Sequence, residues 1–247
     1  MPVKSIVILA NSFKNHRRCI AGKEVHRASD GSWRATNQWY RPVTTDVATH
    51  GAIPLGICRD LTTHQEFQPM DILEIDFNSP APEPGQPENW RFNIGARWSK
   101  VGRFAQAGAA NLLDSPTDIW NDGVATNSSL VTEAYRNAGH VTGSLLLIQP
   151  HELRLHLSNE HNSWNHCYEK KMKASFDYNG TNYFGITVTD PVILDAHGNS
   201  YPAQGDPENV IILPNGDRYS LCMSLAPPFS GNHNTQSKLV AAVISHS

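Results

Sequence analysis

The chain has 247 residues, 39% of them hydrophobic and 17% charged, with a formal net charge of -3. That length holds one large domain or two small ones of about 100–150 residues each, with room for a sizeable core. The composition excludes wholesale disorder and a globally basic nucleic-acid binder, and no run approaches the ~20 apolar residues of a membrane helix.

The charge is unevenly spread. Residues 1–50 carry eight Lys/Arg against three Asp/Glu, whereas the remainder of the chain is acidic. Cys19, Cys58, Cys167 and Cys222 are scattered, with no CxxC pair and no zinc-ribbon spacing. Four reduced thiols and a cytoplasmic protein are the expectation. The opening apolar run, Ile6 to Ala10, is too short for a signal-peptide core and reads as a strand.

Val3 to Leu9 predicts a buried strand that ends in the loop signal Ala-Asn-Ser. Lys14, Arg17, Arg18 and Lys23 then fall in a loop and strand start. With Trp39 and Arg41 they predict an electropositive edge that holds a phosphate backbone. A solvated surface loop is the plain alternative. Pro42 stops the next strand or places it at an edge. Ile72 to Phe77 alternates as a strand, and Asn78 to Asn89 is a proline-rich exposed loop. Trp90 to Phe104 is strand-like and sets Arg91, Arg97, Lys100 and Arg103 among aromatics. It reads as a second basic-aromatic patch or as a half-buried strand.

Ala105–Leu113 and Leu130–Ala138 are the plausible helices, the second capped by Ser128 or Ser129 and by Gly139. A boundary near Gly139–Gly143 divides the chain into residues 1–140 and 141–247. The second half continues with strands Leu145–Ile148 and Leu153–Leu157, the latter alternating cleanly. Val210–Leu213, Tyr219–Leu225 and Leu239–Ile244 are further strands. Asn215-Gly216 is a turn and Pro227–Gln236 a loop.

Lys170 to Pro191 is a hairpin about Asn179-Gly180. A two-residue loop would pair Lys173 with Ile186 and mix charge with hydrocarbon. A three-residue loop, Tyr178-Asn179-Gly180, sorts the side chains instead. Met172, Ala174 and Phe176 then share a buried face with Phe184, Ile186 and Val188. Lys171, Lys173 and Ser175 share the outer, basic and aromatic face with Tyr183 and Thr187. Many short strands with regular turn signals predict an all-β chain with one or two short helices.

Catalytic signals are weak. There is no Gly-x-Ser-x-Gly, no Walker loop and no GxGxxG. Asp190-Pro191 reads as a cap or turn. His161, His166 and Cys167 are zinc-competent types without a fourth ligand, so neither a metal nor a cofactor is expected. A dispersed acid-base site stays open.

Several segments together resemble the bacterial dual-OB-domain family. They are Ile6-Val7-Ile8-Leu9-Ala10-Asn11-Ser12, Arg18-Cys19-Ile20-Ala21-Gly22 and Trp39-Tyr40-Arg41-Pro42-Val43. Later come Lys173-Ala174-Ser175-Phe176, Thr189-Asp190-Pro191, Ser224-Leu225 and Lys238 to Ile244. The resemblance implies two OB-like β-barrels in tandem and a place in a prokaryotic defence system, with other proteins of a defence assembly as partners. An OB barrel binds single strands by stacking bases on aromatics and meeting phosphates with charge. The expected function is therefore a non-catalytic nucleic-acid-binding module for DNA or RNA, single-stranded or non-sequence-specific. Its expected contacts are Lys14, Arg17, Arg18, Lys23, Trp39, Arg41, Lys171, Lys173 and Tyr183. A nucleotide or small-ligand sensor with a barrel-mouth pocket is the alternative, and a protein-interaction adaptor a third reading.

Overall fold

Strands dominate the chain, as the short alternating runs imply. The computed structural model describes residues 3–122, 129–213, 218–229, 231 and 234–246, except the side chain of Ala107. Ser128, the Asn215-Gly216 turn and part of the Pro227–Gln236 loop lie outside the described residues.

The first barrel is built from β1 (Val3–Lys14), β2 (Arg17–Arg27), β3 (Trp33–Val43), β4 (Asp71–Pro80) and β5 (Asn89–Phe92). The ring runs β1-β2-β3-β5-β4 and closes because β1 pairs with both β2 and β4. Only the β3–β5 pairing is parallel within it. β6 (Ser99–Arg103) extends the sheet beyond β4. β1 runs five residues past Leu9, through the expected Ala-Asn-Ser loop, and turns at Asn15 and His16 (φ 49° and 59°). The cation-rich stretch is therefore a hairpin tip and the strand that follows it, not a loop. Two-residue turns with both residues at positive φ match the twist of paired strands.

The second barrel repeats the plan with one break. β8 (Leu145–Ile148) and β9 (His151–Asn162) are separated only by Gln149 and Pro150. Together they take the part of β1, for β8 pairs with β13 (Tyr219–Leu225) and β9 with β10 (Cys167–Tyr178). β11 (Thr181–Val188) follows β10, and β14 (Gln236–Ser245) lies parallel to β11 and antiparallel to β13. Pro150 has no N–H to give to a ladder, which explains the interruption. β12 (Asn209–Ile212) adds to the β9 edge, and β7 (Leu130–Val131) pairs with β14.

Helices are few and short. Gln106–Leu112 is a 3-10 turn rather than an α-helix, and α1 covers only Glu133–Asn137. Thr132, not a serine, caps α1 by accepting from the Tyr135 N–H at 3.2 Å. A second helix, α2 (Pro191–Ala196), lies between β11 and β13 and was not expected from sequence. Six residues are too few to show a periodic stripe. The reading of Asp190-Pro191 as a cap is correct: the Asp190 carboxylate accepts from the Val192 N–H at 2.9 Å. Among the described residues no helix is long and apolar enough to cross a membrane.

Each barrel has its own interior, around Ile8, Tyr40 and Phe77 in the first and Leu155, Phe176 and Ile186 in the second. A third cluster joins them, with Val7 and Leu9 of β1 packed among Leu145, Leu147, Ala241 and Ile244. Burying a Val, Leu or Ile side chain is worth about 1.5–3 kcal/mol. The seam is thus a core in its own right and holds the barrels together.

Candidate nucleic-acid interface

The β10–β11 hairpin decides what the second barrel shows to solvent. Tyr178 pairs with Thr181 across a two-residue turn, Asn179 and Gly180, with φ of 47° and 77°. The three-residue loop expected from sequence is therefore corrected. The irregularity lies further along, where the register shifts between Ala174 and Phe176 opposite Gly185 (φ 69°). Beyond that bulge Lys173 faces Thr187 and Ala174 faces Ile186. Met172, Ala174, Phe176, Ile186 and Val188 are buried, as the sorting argument required.

The bulge inverts two residues. Tyr183, expected on the outer basic face, is 0% exposed and stacks on Phe176 with ring centroids 5.5 Å apart. Its hydroxyl accepts from the Ile119 N–H at 3.0 Å. Phe184, expected in the core, is 52% exposed. One extra residue in a strand flips every side chain between bulge and turn.

The outer face of β9, β10, β11 and β12 is the result. Val210, His156, Lys173 and Thr187 form a row across four strands. Arg154 lies opposite Ser175 and Ile212 in the next row. Arg154, His156, Lys173 and Phe184 line a shallow groove of about 370 Å³. His156 is held from both sides, by Ser175 Oγ at 2.7 Å and Glu208 Oε1 at 3.0 Å. Arg154 pairs with Glu152 at 2.8 Å, and Lys171 with Glu160 at 3.3 Å. The Ser158 hydroxyl, then Lys171 and Lys173, hold the Glu160 carboxyl below its usual range. The Lys173 side chain makes no hydrogen bond or ion pair among the described residues.

The β9–β10 turn closes one end of these strands. Asn162 and Asn165 both donate to Glu169 Oε1, at 2.8 and 2.7 Å, and brace the turn. Trp164 projects from it, 94% exposed. Neither Phe184 nor Trp164 was expected as a contact. The signal for Trp164 was present, since a tryptophan in a run of Asn, Ser and His has no apolar neighbours to bury it. Phe184 gave no such signal, because its direction depends on a bulge. His161 and His166 lie with ring centroids 6.2 Å apart, and no group of three potential metal ligands occurs among the described residues.

The N-terminal cations do not form the exposed edge expected of them. Arg18 is buried, donates through Nε and Nη2 to Glu66 at 2.8 and 3.1 Å, and lies 4.4 Å over the Phe13 ring. Lys23 is 1% exposed and bonds Asp114 Oδ1 and the Leu112 carbonyl, each at 2.7 Å. Trp39 is buried beneath it and donates to Asp114 Oδ2 at 3.2 Å. Arg41 is 1% exposed, between the barrels, bonded to Asn89 and Ser224. Only Arg17, paired with Asp46 at 3.0 Å, and Lys14, which donates to the His50 carbonyl at 2.7 Å, stay partly open. A formal charge count cannot tell a surface cation from one folded onto a carboxylate. In the other basic-aromatic stretch Phe92, Trp98 and Phe104 are core, and Lys100 and Arg103 share Asp71, each at 2.8 Å.

The family model for a dual OB-containing domain matches residues 4–243. The chain belongs to that family. The match spans both barrels, in agreement with the closed ring of strands and the second sheet that repeats its order. No curated protein and no solved structure matches the chain. In this dual OB chain the β10–β11 face is the counterpart of the strand 2–3 face on which OB barrels bind oligonucleotides, and the β9–β10 turn is the counterpart of their first loop. On the corresponding strands of the first barrel, Arg18 and Lys23 turn inward.

Proposed function

We propose that the protein is a non-catalytic nucleic-acid-binding module that holds a single strand on the outer face of β9–β11. The observation that carries this reading is the unpaired Lys173 beside the exposed Phe184 in one groove, with Trp164 on the adjoining turn. Lys173, joined by Lys171 and Arg154, would meet backbone phosphates. Phe184 and Trp164 would stack bases, an interaction that tolerates any sequence. Glu152 and Glu160 already pair with Arg154 and Lys171, so the salt dependence should be shallow for a nucleic-acid binder. A cytoplasmic site of action fits four cysteines that form no disulfide. The family resemblance supports a place in a prokaryotic defence assembly.

Titration of labelled single-stranded DNA and RNA across a salt series tests the reading. Binding should weaken with salt, and Lys173→Glu should weaken it further while the protein stays folded. Unchanged affinity in folded Lys173→Glu would sink the interface and bring the adaptor reading forward.

A further inference from the structure

A second groove, of about 340 Å³, lies between the barrels, where the β1–β2 tip meets β13 and the segment after it. Its volume is in the range of small-ligand sites. No Asp or Glu lines it among the described residues, in a chain with more acids than bases. Two cations do, Lys14 and Arg41.

Arg41 is unusual among the cations of this protein. It is almost wholly buried, yet its hydrogen-bond partners are neutral: Asn89 Oδ1 at 3.3 Å and Ser224 Oγ at 3.1 Å. Its Nε has no hydrogen-bond partner among the described residues. Lys14 likewise donates to a neutral carbonyl. Burial lowers the Lys14 pKa, Cys19 in the lining opposes the shift, the Arg41 charge adds to it, and Glu83 opposes it from outside the lining. Lys23 and Arg18, by contrast, each meet a carboxylate. Buried charges are normally paired, because a charge taken out of water needs a counter-charge. Two cations facing one groove with only neutral partners leave a counter-charge to be supplied from outside. A guanidinium beside an ammonium suits phosphate oxygens.

The rest of the wall mixes polar side chains, among them Asn15, His50 and Gln86, with apolar and aromatic ones. Phe13 and Phe229 are 44% and 67% exposed, with Pro227, Pro228 and Leu225 between the barrels. Exposed phenylalanines beside a phosphate site suit a flat ring.

We propose that this groove binds a mononucleotide phosphomonoester, with the phosphate against Arg41 and Lys14 and the base against Phe13 and Phe229. The site is separate from the β9–β11 face and does not depend on it. The phosphomonoester can belong to a free nucleotide or to the 5′ end of a strand.

Calorimetric titration of the full chain with AMP, adenosine and inorganic phosphate tests this. AMP should bind, adenosine should bind at least about tenfold more weakly, and phosphate should compete with AMP. Lys14→Gln and Phe229→Ala should each weaken AMP at least about fivefold without lowering the melting temperature, since both side chains are at least partly open. Lys173→Glu should leave AMP binding intact. A short 5′-phosphorylated oligonucleotide that displaces AMP better than its 5′-hydroxyl form identifies a strand end as the source. Displacement by neither form identifies free nucleotide, and equal displacement by both would count against recognition of a phosphomonoester. Absence of binding by millimolar AMP, or AMP affinity unchanged in both Lys14→Gln and Phe229→Ala, overturns the proposal.

Discussion

Lys23 and Asp114, 91 residues apart, meet at 2.7 Å between the two barrels. Asp114 also accepts from the Trp39 indole at 3.2 Å and from the Leu147 N–H of β8 at 2.8 Å. One carboxylate thus ties β2 and β3 of the first barrel to the opening strand of the second. The lysine that gives the N-terminal sequence the look of a phosphate-binding edge is an internal fastening.

Breaking that pair should be costly. Lys23→Ala and Asp114→Ala are each expected to lower stability by about 3–5 kcal/mol, because either leaves a buried partner uncompensated. The double variant should lose less than the sum, since the second change removes the stranded charge. Urea unfolding of the four proteins measures it; additive losses would show that the two groups do not interact.

The aromatic side chains of the proposed strand-binding face separate cleanly from stability. Phe184→Ala and Trp164→Ala should each cost about 1–3 kcal/mol of single-strand affinity. Melting temperatures should hardly move, because both rings are already largely in water. The salt slope should stay the same in both, whereas removing one lysine that meets a phosphate should flatten it by roughly 0.7. A fall in melting temperature with full affinity retained would contradict the assignment.

Lys238 offers a pH test. It is 1% exposed, its Nζ has no hydrogen-bond partner among the described residues, and burial pushes its pKa down to about 8, against the opposing pull of Asp122 and Asp118. A depressed folded-state pKa means that the unfolded chain binds the proton more tightly. Stability is therefore highest above the ordinary lysine value, about 10.4, and is lost as pH falls from there to the folded value. Lys238→Met should stabilise the protein at pH 7, by up to about 3 kcal/mol. The gain should fade as pH rises from about 8 towards the ordinary lysine value, about 10.4. Thermal melts across that range decide it; a destabilised Lys238→Met at neutral pH would mean the charge is compensated.

Gly185 sets the direction of the hairpin face. It sits at φ 69° with open space where a Cβ would stand, so a side chain there meets no clash. The expected cost of Gly185→Ala is conformational alone, about 1–2 kcal/mol. Chemical denaturation should show that loss with an unchanged slope. A larger loss, together with a Phe184 ring that has moved out of solvent by NMR, would mean that the strand had slipped register.

Much of the architecture is legible in the sequence. Alternating runs such as Leu153–Leu157 and Ile72–Phe77 are strands because burying one face demands a period of two. Asn179-Gly180 had to be a turn, and Asp190-Pro191 a cap, because those residues satisfy local backbone geometry by themselves. Tertiary structure decided the rest. Whether Lys23, Arg41 and Arg18 face water depends on Asp114, Ser224 and Glu66, which lie far away in sequence. Whether Tyr183 or Phe184 faces the core depends on a single bulge at Gly185. Local sequence determines the period of a strand, but its phase and the partners of its charges are set by what packs against it.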